Sequence, residues 1–162
     1  MDKTTKTITS NKSKIGTRYM AGVAMLSALA FVLQYLEFPI PIMPGFVKFD
    51  FSDLPALLGA FAYGPLAGVL VEFIKNLLHC AVSQSATVGE LSNFILGAVF
   101  AGTAGLIYKH KKTKKMAVTG ALAGSLLMGV ISFPSNLFIV YPFYRVAYSM
   151  DYPTIVGFYK AI

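Results

Sequence analysis

The apolar residues of this chain fall into long uninterrupted blocks instead of the spaced stripes of a soluble helix, and that feature makes lipid its solvent. Residues 19–36 contain no Asp, Glu, Lys or Arg. A helix needs about 20 mostly apolar residues to cross about 30 Å of hydrocarbon, and this block nearly suffices by itself. Over the 162 residues, 56% are apolar and 13% charged, a balance foreign to water-soluble domains of this size.

The net charge of +7 is concentrated beside the apolar blocks. Lys3, Lys6, Lys12, Lys14 and Arg18 precede the first block, and Lys109, Lys111, Lys112, Lys114 and Lys115 share one short loop. No aromatic residue is interleaved with these clusters as a base-stacking platform would need, so nucleic acid is not an expected partner. They read as cytoplasmic flanks of membrane helices. Cys80 is the only cysteine, which excludes an internal disulfide and a thiolate metal cluster. Ala28-Leu29-Ala30 imitates a signal-cleavage site, but the apolar run continues to Leu36 and reads as a retained span.

Span one is followed by Phe38-Pro-Ile-Pro-Ile-Met-Pro44-Gly45, which cannot be helical, and by Phe46-Val-Lys-Phe-Asp-Phe51, which alternates like a short strand. Ser52 or Asp53 then caps a helix with Pro55 in its first turn, running to Tyr63. Gly64-Pro65 breaks it, and a longer helix continues to about Cys80. Merging the two would put the lysine loop and the N-terminal lysines on opposite faces, so parity favours two spans. Span four covers residues 88–108 and span five 116–140, with a kink at Pro134. The expectation is an all-α integral membrane protein: a basic cytoplasmic tail over residues 1–16, then one domain over 17–162 with five visible transmembrane helices. The loops at 37–53, 80–88 and 141–153 lie outside. Residues 151–162 are too short to cross, so the chain has five spans or stops before a sixth.

Charges at mid-span cost about 2.5–3.5 kcal/mol each on insertion scales, so polar residues inside the blocks are informative. Glu72, Lys75, Asn76 and His79 form one stripe on span three, in which Glu72 and Lys75 can pair. The stripe is either an internal clamp or, at the outer end with Asn76 and His79, the border of a ligand cavity. Glu90 and Asn93 open span four, where Glu90 either stabilises the helix N-terminus or touches ligand. Asn136 follows Pro134 at the depth of Asn93, where backbone groups freed by proline accompany an amide. Ala21, Ala24 and Ala28 with Ser27, Gly64-xxx-Gly68 and Gly120-xxx-Gly124 mark close helix packing. There is no phosphate-loop, H-E-x-x-H or Ser-His-Asp pattern, and no cofactor is expected.

Phe38-Pro-Ile-Pro-Ile-Met-Pro, Phe49-Asp-Phe-Ser-Asp-Leu-Pro55, Gly64-Pro-Leu-Ala-Gly68, Lys75-Asn-Leu-Leu, Ser92-Asn-Phe-Ile and Ser135-Asn-Leu-Phe-Ile-Val-Tyr-Pro-Phe-Tyr144 together resemble the substrate-binding (S) components of energy-coupling factor vitamin transporters, above all the riboflavin-specific members. The likeness spans residues 17–145. It implies six helices with the vitamin near the outer surface, under a lid formed here by residues 41–50, so that Ile42, Met43, Phe46, Lys48 and Asp50 join Asn76, His79, Glu90, Asn93 and Asn136 as substrate-binding candidates. It also implies that Ala24 and Ala28 meet the transmembrane coupling subunit, which is joined by two ATPases. Helix six, which also contributes to the family's pocket, is expected beyond residue 162. Riboflavin, or its phosphate FMN, is the implied ligand. Pantothenate or a pyridoxine-type vitamin is the same-class alternative. A membrane enzyme using Glu72, Lys75 and His79, or a ligand-free channel, is the alternative from another class.

Overall fold

Hydropathy alone does not decide which residues of the first helix turn inward. The computed structural model describes residues 16–36, 38–39, 48–82 and 88–140, with single positions 142, 143, 145, 153 and 157. Helix α1 (Thr17–Tyr35) buries Val23, Ser27, Ala30 and Gln34 and exposes Met20, Met25, Leu29 and Val32. In lipid, a large apolar side chain gains nothing by burial, so the interior goes to residues that let backbones approach. The remaining core follows suit with Ala56, Ala60, Ala67, Ala101 and Ala104, while Leu126, Phe133 and Phe138 face outward.

After α1, Phe38–Pro39 (β1) pairs antiparallel with Lys48–Phe49 (β2), opposing Phe38 to Phe49 and Pro39 to Lys48. Of the strand expected over residues 46–51, Lys48–Phe49 is the part seen among the described residues. Helix α2 (Asp53–Tyr63) ends at Gly64, whose φ of 103° lies where side-chain-bearing residues are strained. Pro65 then opens α3 (Pro65–Cys80) at a position where its missing N–H is harmless. α4 (Val88–His110) and α5 (Lys114–Ser135) follow, Thr113 caps α5 by accepting the Met116 amide, and the described positions 142, 143, 145 and 153, inside the loop expected over 141–153, are helical, as is 157. Pro134 removes one backbone donor, and the chain continues from it into a wide π-helical turn, Asn136–Val140.

Among the described residues, three helical segments are long and apolar enough to cross a membrane: Thr17–Tyr35, Gly89–His110 and Lys114–Val140. At 11 residues, α2 rises only about 16 Å, half the hydrocarbon thickness, so it starts inside the bundle and descends to the inner end.

Of the small-residue pairs, Gly120 and Gly124 sit against the backbone carbonyls of Ala104 and Phe100, bringing α5 onto α4. Gly68 meets Ala56, Ala60 and Ala101, but Gly64 has open space around it and serves the turn instead of packing. The expected Gly64-xxx-Gly68 packing pair is therefore half correct. Ala21, Ala24 and Ala28 lie on the exposed face of α1.

Aromatic contacts fix which helix ends lie together. Tyr19 packs edge-on to Tyr63 at 5.8 Å and Phe61 on Tyr108 at 4.7 Å, so the start of α1, the α2–α3 turn and the end of α4 share one end. Gly16, Lys109 and Lys112 border the same cavity of about 590 Å³ there. The lysine loop and the start of α1 are on one face, as the parity argument requires.

Candidate binding site

Lys75 lies ten residues above Pro65, about 15 Å from the inner end and so near mid-membrane. An ammonium carries three donors, and three acceptors meet it: Ser52 Oγ at 2.7 Å, Asp53 Oδ1 at 2.6 Å and Glu72 Oε2 at 2.9 Å. Both Lys75 and Glu72 are fully buried. This cluster ties the start of α2 to the middle of α3, so the inner part of the polar stripe is a clamp. Ser52 precedes α2 but makes no side-chain cap, because its hydroxyl accepts from Lys75, and its own amide donates to Asp50 Oδ1 at 2.7 Å. The capping role expected of Ser52 is replaced by a tertiary one.

Glu72 reaches this depth because α4 presents Gly97 to it; a Cβ at that position would overlap the carboxylate. Asn76, one turn outward, donates Nδ2 to the Glu72 carbonyl at 2.8 Å, a bond that fixes the amide's orientation. His79, a further turn out, holds Glu90 across the α3–α4 junction with Nδ1 3.0 Å from Oε1. The rings of Phe31 and Tyr35 on α1 flank His79 at 6.5 and 5.8 Å. On the other side Ser92 and Ser135 share a hydrogen bond of 2.9 Å, which brings the two Ser-Asn pairs of α4 and α5 to one level. Asn93 and Asn136 are thereby neighbours in depth, each half-buried, and Asn136 Nδ2 donates to Ser132 Oγ at 3.4 Å.

Asn76, His79 and Glu90 thus come together at the outer α3–α4 junction, while Asn93 and Asn136 share a level beside the Ser92–Ser135 bond. Asn76 and Glu90 also border a cavity of about 280 Å³ with Phe73, Leu77, Cys80, Leu91 and Phe94. The larger inner cavity is lined by Tyr19, Phe61, Tyr63 and Tyr108 and lies far from the stripe. Ile42, Met43 and Phe46 fall outside the described residues, and of Lys48 only the strand backbone is described. Ser52, Asp53, Gln34, Ser92 and Ser135 were absent from the expected site. The doubled Ser-Asn motif could have revealed the last two, since each serine precedes an asparagine already singled out.

Residues 18–161 match the sequence family of the ECF transporter substrate-specific component. The chain belongs to that family. It is 41% identical over 128 residues to the riboflavin transporter RibU of Staphylococcus aureus (strain TCH60), covering 79% of this chain and 68% of that protein. To the riboflavin transporter FmnP of Bacillus subtilis (strain 168) it is 38% identical over 125 residues, covering 75% and 66%. The matches therefore span about two thirds of each relative's own length. A solved S component of a bacterial ECF transporter superposes with a TM-score of 0.74 at 38% identity, over 88% of this chain and 83% of the other. This S component is accordingly a multi-pass membrane transport subunit and not an enzyme, which removes the acid-base reading of Glu72, Lys75 and His79. Its family binds a vitamin and associates with an energy-coupling module.

Proposed function

We propose that this S component captures riboflavin at its outer face and delivers it to an energy-coupling module of one transmembrane subunit and two ATPases. The reading is supported by the His79–Glu90 contact one turn beyond Asn76, by the Ser92–Ser135 bond that levels Asn93 with Asn136, and by a chain 41% identical to a riboflavin transporter. Small-molecule sites combine apolar walls with a few polar groups that fix orientation, and this end supplies both. The family resemblance makes residues 41–50 the lid, with Ile42, Met43, Phe46, Lys48 and Asp50 as its ligand-contact candidates. Ala24 and Ala28, exposed and small on α1, offer the coupling subunit a close helix contact. Titrating the purified protein into riboflavin tests the reading. Saturable quenching of flavin fluorescence that excess pantothenate or pyridoxine leaves unchanged is expected, and displacement by either vitamin contradicts the flavin assignment.

A further inference from the structure

Among the described residues, three acceptor oxygens are buried without a hydrogen-bond partner: Gln34 Oε1 on α1, and Glu72 Oε1 and Asn76 Oδ1 on α3. Their residues are 4%, 0% and 3% exposed, so lipid headgroups and bulk water do not serve them. Leaving one such oxygen unpaired costs about 1–3 kcal/mol, and three within one small bundle point to a ligand that supplies donors. The orientations are set by the fold. Asn76 commits its Nδ2 to the Glu72 carbonyl, which turns Oδ1 away from its own backbone. Glu72 commits Oε2 to Lys75 and keeps Oε1 free. Gln34 immediately precedes Tyr35, whose ring packs on His79, one turn outward of Asn76. On α3 the set thus comprises Glu72, within the lysine clamp, and Asn76 one turn outward of it, and Gln34 joins them from the buried face of α1.

The chemistry of the flavin discriminates between its two parts. The isoalloxazine ring offers a single N–H donor, whereas the ribityl side chain carries four hydroxyls, each able to donate. We propose that Gln34, Glu72 and Asn76 form a polyol subsite that reads the hydroxylated side chain of the ligand, leaving the ring to the apolar outer wall. Gln34 is a new specificity residue on this account, and Glu72 has two roles, one oxygen for the clamp and one for the ligand. This inference rests on the riboflavin reading above.

The test compares riboflavin with lumiflavin, which keeps the ring and replaces the side chain by a methyl group. Gln34→Met and Asn76→Leu keep side-chain size and remove the acceptor with the rest of the amide, which in Asn76 includes the Nδ2 bond to the Glu72 carbonyl. Each is expected to weaken riboflavin binding about ten- to a hundredfold while lumiflavin binding changes less than about twofold. Unchanged lumiflavin binding also shows that the variants fold. Equal losses for both ligands, or no loss for riboflavin, overturn the polyol subsite alone. Wild-type protein that binds neither flavin overturns the riboflavin reading and the subsite with it.

Discussion

A charged residue at the centre of a membrane protein persists only where its partners outweigh the loss of water, and Lys75 has its full complement. Replacing it with methionine keeps the length but strands the Glu72 and Asp53 carboxylates. Breaking a buried pair from one side costs about 3–5 kcal/mol. Lys75→Met is therefore expected to lower the melting temperature in detergent sharply, and Lys75→Met with Glu72→Gln to recover part of the loss. A single variant that melts like the wild type would show that the clamp contributes little. The same logic explains Gly97, because a larger residue there would expel the Glu72 carboxylate from the seam.

At the scale of elements, α1 presents two different faces. Its buried stripe of Val23, Ser27, Ala30 and Gln34 belongs to the bundle, while Ala24 and Ala28 stand among exposed Met20, Met25, Leu29 and Val32. Ala24→Trp and Ala28→Trp are expected to leave riboflavin titration unchanged and to abolish recovery of the ATPases with the tagged protein. Retention of the ATPases by both variants would place the coupling contact elsewhere. The helices themselves were legible because their punctuation is chemical: Gly64-Pro65 ends one and starts another, and Pro55 sits in a first turn. The role of Ser52 was not legible, since its partner Lys75 lies 23 residues away and local rules favour a cap. Nor was the contribution of Gln34, a lone amide whose burial depends on which face of α1 turns inward.

Across the whole molecule, charge and polarity are divided between two ends. Arg18 and the lysine loop mark the inner end, while His79, Glu90 and the paired Ser-Asn motifs mark the outer half. The positive-inside rule orients this asymmetry in the membrane and turns the polar site toward the exterior. The most direct test titrates riboflavin against sealed right-side-out and inside-out vesicles carrying the protein without its ATPases. Quenching is expected with right-side-out vesicles and not with inside-out ones; equal quenching in the inverted vesicles, or none in either, would contradict the account.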